Sequence, residues 1–497
     1  MNVIFLTMAD LREIATHGIY QDLMRKFRDE GHNVYIASPL ERRLVQGSKK
    51  FKVQGPELLE VDGVKILKVR TLNLQKTNVV EKGVGQLLVE TQFKRAIKKH
   101  LGDVTFDLIL YSTPPITFPK VIEYLKRTNP TTKSYLLLKD IFPQNAVDLG
   151  MMPGASSFPA STLKAAKPSV KFQVSSFKSW VDFGKYQLYK MFRRKEKRLY
   201  ALSDHIGCMS PANVRYVIEH NPEVDPAKVE VAPNSIEAPC PPKGENSENE
   251  SEDDKALREN NERYHIRKKY NLPLDKPVFI YGGNLGKPQG IPFLIECLEA
   301  NAHREDCHFV VVGNGTEFPR LKAWYDNERR RTKDEENSSS AAFDSEHITD
   351  SQLSARPNGT LSERSGERTL HSPLSITVME GLPKEDYDQL VRSCDVGLIF
   401  LDHRFTIPNY PSRLLSYLEN KMPVLCATDP NTDMGRIAEE NGYGFWCESV
   451  RPEDFTALVD RMLAADRKEM GEKGYEFLRK NYTVENTYNA VMRHFIG

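Results

Sequence analysis

The amino-acid sequence has almost no net charge, few cysteines and no long apolar run. Among 497 residues, 69 Lys and Arg nearly balance 68 Asp and Glu, which leaves a net charge of +1. A protein that coats nucleic acid needs a large positive excess, so this balance predicts no nucleic-acid partner. The 7 cysteines form no CxxC pair and no His/Cys metal spacing. We therefore expect reduced, buried thiols.

Hydrophobic segments are short throughout the chain. No stretch approaches the roughly 20 apolar residues that a membrane-spanning helix needs. The first residues enter an apolar run at residues 3–6, without a basic leader or a small-residue cleavage site. We expect a cytoplasmic protein that contacts a membrane, if at all, as a peripheral protein on the inner face of the plasma membrane.

Short apolar runs alternate with amphipathic stretches, and this pattern predicts an α/β protein with two doubly wound parallel sheets. In a first domain, residues 1–238, the predicted strands are residues 3–6, 34–37, 64–69, 108–111, 135–138, 206–209 and 229–231. In a second domain, residues 263–480, they are residues 278–281, 309–312, 376–379, 396–400, 424–427 and 445–447.

Two segments lack this alternation. Residues 239–262 are acidic and have almost nothing to bury, which predicts an interdomain linker or a disordered insert. Residues 326–373 are rich in Ser, Asn, Glu and Arg, which predicts a low-complexity insertion on the surface of the second domain. We expect both segments to be poorly ordered.

Two glycine-containing turns follow predicted strands and could hold an anionic ligand. Gly18 precedes the first predicted helix, where a glycine lets the backbone approach a ligand; the alternative is a tight turn without one. The loop after residue 281 contains Gly283, Asn284 and Lys287. Closely spaced glycines with a lysine suit a diphosphate, and the alternative is a purely structural loop.

Residues 405–419 form a third candidate, with Asn409, Ser412 and Arg413 around a proline that fits the first turn of a helix. Arg413 could bind phosphate oxygens, or it could be an ordinary surface arginine. Asp140 follows the predicted strand 135–138, at the sheet edge where α/β proteins bind ligands; the alternative is a strand cap. Asp386 and Asp388 form a DxD pattern, but they begin an amphipathic helix, so we predict no metal site there.

Residues 177–198 combine aromatic and basic side chains. Trp180, Arg193, Arg194 and Lys195 are the side chains expected to contact an anionic membrane surface, because interfacial helices use this composition. The alternative is a helix that buries its aromatic side in the protein and leaves its basic side in water.

Taken together, several motifs resemble glycosyltransferase family 4, most closely its bacterial capsule, exopolysaccharide and O-antigen branch. They are residues 17–18, 138–143, 231–234, 282–290, 310–315, 393–399, 411–413 and 422–424. The resemblance implies the GT-B fold, in which two Rossmann-like domains face each other and a last helix, residues 481–497, crosses back. It also implies transfer of a hexose-type sugar with retention of anomeric configuration, without a metal or other cofactor.

Position by position, the resemblance puts Gly18 near the donor phosphates and makes Lys287 and Arg413 the cations. Asp140 would stand where many members have a catalytic-site histidine. The chain departs from the family where two carboxylates are expected, because it has Pro408 and Ser416 there. Ser416 could still make a weaker bond to the donor ribose, with Glu419 one helical turn away. Asn284 and Gln289 likewise replace an expected arginine and lysine.

The expected activity is sugar transfer from a nucleoside-diphosphate sugar to a polyprenyl-diphosphate-linked saccharide in cell-surface polysaccharide synthesis. A nucleotide-sugar epimerase would share the fold. A non-catalytic protein that binds a nucleotide sugar or another transferase is a third possibility, because the family carboxylates are absent.

Overall fold

The computed structural model describes residues 1–41, 56–73, 79–113, 115–153, 177–238, 252–345 and 374–495. They form two sheets covered by helices, with the order β3-β4-β2-β1-β5-β6-β7-β8 in the first and β11-β10-β9-β12-β13-β14 in the second. Central strands such as β1 and β5 are buried on both faces, as parallel sheets covered by helices require.

In the first domain, the strands are β1 Asn2–Leu6, β2 Asn33–Glu41, β3 Glu57–Val61, β4 Val64–Thr71, β5 Leu108–Ser112, β6 Lys133–Leu138, β7 His205–Cys208 and β8 Val229–Val231. The helices are α1 Ile19–Asp29, α2 Val79–His100, α3 Pro119–Thr128, α4 Gln144–Asp148, α5 Phe177–Leu202 and α6 Pro211–His220.

In the second domain, the strands are β9 Val278–Asn284, β10 His308–Asn314, β11 Ile376–Met379, β12 Val396–Phe400, β13 Val424–Thr428 and β14 Gly444–Glu448. The helices are α7 Glu252–Lys269, α8 Ile291–Ala300, α9 Phe318–Ser345, α10 Lys384–Arg392, α11 Arg413–Glu419, α12 Met434–Glu440, α13 Pro452–Ala464, α14 Arg467–Asn481 and α15 Val484–Met492. Every predicted strand is present, and the predicted fold class is confirmed.

β3 is the one described strand that the apolar runs did not predict. It pairs antiparallel with β4 through Asp62 and Gly63, whose φ angles are 49° and 74°. An Asp-Gly pair accepts positive φ at both positions and is a typical hairpin signal. The strand itself was missed because its residues are largely exposed, so it carries no continuous apolar run.

The last helix, α15, packs on the first domain. The Tyr488 ring lies 4.9 Å from the Phe27 ring, and the Tyr488 hydroxyl lies 2.9 Å from Nε2 of His32. Val491 and Met492 belong to the apolar cluster around α1 and β1. The chain therefore crosses back from the second domain to the first.

Two segments differ from their predicted lack of structure. α7 begins at Glu252, inside the predicted linker, and α9 continues to Ser345, inside the predicted insertion. Along α9, the side chains of Glu328 and Thr332 are buried although they are polar. A charge-rich helix can dock on the protein through a narrow stripe of buried positions. The polar composition of these segments therefore gave too low an expectation of ordered helix. Residues 239–251 and 346–373 lie outside the described residues, and the predicted domain boundaries stay predictions.

The side chain of Arg267 on α7 ties this helix to the second sheet. Its guanidinium is 1% exposed and donates to the carbonyl oxygens of Ser393, Pro273 and Lys276 and to Oδ2 of Asp395. Asp395 also accepts from the backbone N–H of Val278 at the start of β9.

We predict that Arg267→Met lowers the free energy of unfolding by about 3 kcal/mol or more, because three carbonyl oxygens lose their donor and Asp395 keeps only the more exposed Arg263 as an ion-pair partner. Urea denaturation followed by fluorescence measures the change. Lys269→Met is the matched control, because Lys269 also lies on α7 and its ion pair with Asp386 of α10 is exposed; this substitution should change little. Equal effects of the two substitutions would contradict the structural role of Arg267.

Candidate functional site

A cleft of about 1000 Å³ separates the two sheets and is lined by residues from both domains. Its walls are built from segments that follow β1, β6, β9 and β12, all at the carboxyl ends of parallel strands. Parallel α/β sheets bind ligands at this edge, because the loops there are free to carry polar groups. The volume is at the upper end of the range for small-molecule sites.

The cleft brings together all the predicted donor-binding residues except one. Asp140 and these residues line it: Gly18, Gly283, Asn284, Asn409, Ser412, Arg413 and Ser416. Lys287 is exposed in the short 3₁₀ turn Lys287–Gln289, and it is not a lining residue although Pro288 and Gln289 are. Glycine spacing located the loop, but the direction of one side chain in a tight turn depends on its backbone angles.

Arg413, at the start of α11, presents a partly buried guanidinium in the cleft. Its Cζ atom lies 4.3 Å from the centroid of the Tyr281 ring. Its Nη1 atom is buried and has no hydrogen-bond partner among the described residues. Gly283 has a φ of +122°, and a side chain there would begin 3.7 Å from the guanidinium. A buried donor without a partner is costly, so this one suits an anionic ligand.

Asp140 lies just after β6 and is held by its neighbours. Asn145 Nδ2 donates to both carboxylate oxygens, at 2.9 Å and 3.0 Å, and the Thr113 hydroxyl donates to the backbone oxygen of Asp140. Burial raises the pKa of Asp140 to about 6, although the Asn145 hydrogen bonds act against that rise. The carboxyl group is therefore oriented in the cleft and ionised in most molecules at pH 7.

Lys139 also lines the cleft, and sequence reasoning did not select it as a site residue. Its Nζ atom donates to the backbone oxygen of Ala232 at 3.2 Å and does not form an ion pair with Asp140. Burial lowers the pKa of Lys139 to about 7. The sequence signal that could have identified Lys139 is its position next to Asp140, directly after a buried strand.

His17 connects the two domains across the cleft. Its Nδ1 lies 2.9 Å from Oδ2 of the buried Asp22, and its Nε2 lies 3.3 Å from Oε1 of Glu419 on α11. The two carboxylates raise the pKa of His17 to about 10, so the imidazole is cationic at neutral pH. Gly18 donates its backbone N–H to Asp22, which fixes the turn. The sequence-predicted turn is therefore anchored through Asp22.

The predicted membrane residues lie on or near α5, and the structure engages two of them within the protein. Arg193 pairs with Glu196 at 2.5 Å and donates to the Asn221 side chain, and Lys195 lies 3.3 Å from Glu90. Arg194 is exposed, and the side chain of Trp180 lies outside the described residues. Arg193 and Lys195 thus act as structural ion pairs, which favours the alternative of a docked helix; membrane contact stays a prediction.

The described residues contain no group of three or more His, Cys, Asp or Glu side chains that could hold a metal ion. Asp386 pairs with Lys269, and Asp388 pairs with Lys384. Within the described part of the chain, no helix combines the length and apolarity needed to cross a bilayer.

No family model matches the chain. A curated relative, the probable glycosyltransferase WbjE of Pseudomonas aeruginosa, is 20% identical over 208 residues, which cover 42% of this chain and 41% of that protein. The match thus spans about two fifths of the length of this relative.

Solved structures match over nearly the whole chain. Sucrose-phosphate synthase from Thermosynechococcus elongatus has a TM-score of 0.59 at 12% identity and covers 99% of this chain and 98% of its own. Anabaena HepE in complex with UDP has a TM-score of 0.55 at 10% identity, with 100% and 99% covered. WaaG, a glycosyltransferase involved in lipopolysaccharide biosynthesis, has a TM-score of 0.54 at 11% identity, with 100% of both chains covered. At these identities the likeness establishes the architecture: the chain has the GT-B fold, two Rossmann-like domains that face each other across a cleft.

Proposed function

We propose that this protein is a retaining glycosyltransferase that uses a nucleoside-diphosphate sugar. The observation that carries the proposal is Arg413, whose buried Nη1 has no partner among the described residues and lies in a glycine-lined wall of the cleft. HepE, which shares the fold, binds UDP and UDP-glucose. A diphosphate is a group that would satisfy such a cation in this chain.

In the proposed reaction, the bond between the anomeric carbon and the diphosphate oxygen breaks, and its electron pair leaves with the diphosphate. The acceptor hydroxyl oxygen then bonds to the anomeric carbon on the same face. Arg413 would stabilise the charge that develops on the diphosphate. Asp140 would stabilise positive charge on the sugar or take the acceptor proton, since its carboxylate is oriented by Asn145.

The acceptor and the pathway are further parts of the proposal. A polyprenyl-diphosphate-linked saccharide at the inner face of the plasma membrane, in capsule, exopolysaccharide or O-antigen synthesis, is the acceptor that the motif resemblance supports. The exposed Arg194 on α5 would be available for an anionic lipid surface. WbjE, to which part of the chain is similar, is a probable glycosyltransferase.

Two other functions share the fold. An epimerase would change the nucleotide sugar without any acceptor, and a non-catalytic protein would bind it without turnover. Glu419 counts against the non-catalytic function, because it supplies a carboxylate on the cleft wall one helical turn beyond Ser416. Incubation with mixed nucleotide sugars, with and without a lipid extract, separates the three functions. A transferase gives a glycosylated lipid, an epimerase gives an altered nucleotide sugar, and a non-catalytic protein gives neither product.

We predict that Arg413→Ala weakens binding of a nucleoside diphosphate by roughly ten- to hundredfold, because a hydrogen bond to a charged group contributes about 1.5 to 3 kcal/mol. Nucleoside binding should change little. Calorimetric titration with UDP and with uridine measures both. Arg461→Ala is the matched control, since this arginine also stacks on an aromatic ring, Phe445, but does not line the cleft. Equal losses for uridine and UDP would assign Arg413 a structural role instead.

We predict that Asp140→Asn lowers kcat by on the order of 10² or more, because the shape is kept while the charge is lost. UDP affinity and melting temperature should stay close to wild type. In the wild-type protein, kcat should fall as the pH drops through about 6, where the Asp140 carboxylate becomes protonated. Asp103→Asn is the control, because Asp103 is exposed and precedes β5, whereas the cleft lies at the carboxyl ends of the strands. Full turnover of Asp140→Asn would make Asp140 a strand cap.

A further inference from the structure

Lys139 is a cation on the first-domain side of the cleft, and its role is not explained by the proposed chemistry. It follows β6 and lines the cleft beside Asp140. An ammonium group has three N–H donors. Among the described residues, the structure gives Nζ one hydrogen bond, to the backbone oxygen of Ala232 at 3.2 Å. Donors of this side chain are therefore left for a ligand.

The groups around Lys139 do not neutralise its charge. Both carboxylate oxygens of Asp140 accept from Asn145. The nearby thiol of Cys208 on β7 is neutral, because burial raises its pKa to about 12. No described carboxylate pairs with Nζ. Desolvation without a counter-charge lowers the pKa of Lys139 to about 7, so about half of the molecules carry the ammonium form at pH 7 and a bound anion would increase that share.

The position of Lys139 separates it from the donor-binding cation. Lys139 follows β6 of the first domain, whereas Arg413 belongs to α11 of the second domain and stacks on Tyr281 of β9. Among the described residues that line the cleft, Lys139 of the first domain and Arg413 of the second are half-buried cations with unused donors, whereas Arg392 is exposed. Arg413 accounts for the diphosphate of the donor, which leaves Lys139 for a second anion.

We propose that Lys139 binds an anionic group of the acceptor, a phosphate or a carboxylate, at a position distinct from the donor diphosphate. That the anion belongs to an acceptor rests on the proposed function. The presence of an anion site at Lys139 does not depend on it. A neutral saccharide would leave the amine without a counter-charge, so the acceptor carries its anion close to the hydroxyl that receives the sugar.

The test measures the reactivity of the Lys139 amine with acetic anhydride, a small neutral reagent, by peptide mass spectrometry on the wild-type protein. At pH 7 an amine with a pKa of about 7 has on the order of 10³ more neutral, reactive form than an ordinary lysine. We expect Lys139 to be acetylated at least about tenfold faster than Lys133, the exposed internal reference at the other end of β6.

Saturating UDP is then added, followed by inorganic phosphate, pyrophosphate or glucuronate in separate samples. We expect UDP alone to leave Lys139 reactive and one of the anions to protect it at least about fivefold, because bound anion holds the amine protonated. Phosphate and pyrophosphate report a phosphorylated acceptor, and glucuronate reports an acidic sugar. Protection of Lys133 to the same degree would indicate a non-specific effect and overturn the proposal.

Two further results would overturn the proposal. Complete protection of Lys139 by UDP alone would assign the lysine to the donor site, and an absence of protection by all of the anions would show that it binds none of them. Two variants give a second readout, the rise in melting temperature that phosphate causes in the UDP-saturated protein. Lys139→Met should abolish this rise, and Lys139→Arg should retain it. These measurements need no turnover. Failure of UDP to bind at all would count against the proposed function, whereas loss of anion protection alone would count only against this inference.

Discussion

The burial of second-domain side chains in the core of the first domain holds the two sheet edges across from each other. Leu401, Phe405 and Ile407 are at most 2% exposed and belong to the apolar cluster of the first domain. The Asp148 carboxylate accepts from the Thr406 backbone N–H at 2.8 Å. The same chain segment leads directly to Arg413 on α11. This packing therefore determines where the donor-binding wall stands relative to Asp140.

The cleft concentrates polar groups that are incompletely paired. Arg413 has a buried donor without a described partner, Asp140 has a raised pKa, and Lys139 has a lowered pKa. Each arrangement costs folding free energy, because charged groups lose hydration without full compensation. Proteins retain such costs at functional sites, where a ligand supplies the missing partner. His17 differs, since Asp22 and Glu419 already satisfy it and join the domains.

Prediction from sequence succeeded for elements whose signal is local. The strands of both sheets follow from continuous apolar runs. Most candidate site residues come after such runs and line the cleft, and their roles stay predictions. Failures occurred where composition concealed packing. β3 was missed because it is exposed, and α7 and α9 were underestimated because their buried positions are few. Lys287 does not line the cleft, and its role in donor binding stays a prediction. The basic residues of α5 looked available, but Arg193 and Lys195 have acidic partners.

The sequence by itself determined the two α/β domains and the edge of each sheet at which ligands bind, because hydrophobic periodicity and strand direction are properties of neighbouring residues. Only the tertiary structure decided which charges in the cleft are paired and which remain available. Lys195 pairs with Glu90, 105 positions away, whereas the one described partner of the Lys139 Nζ atom is the backbone oxygen of Ala232, 93 positions away. Pairing between residues so distant in the chain depends on how the elements pack, and packing is set by the whole core rather than by any segment of it.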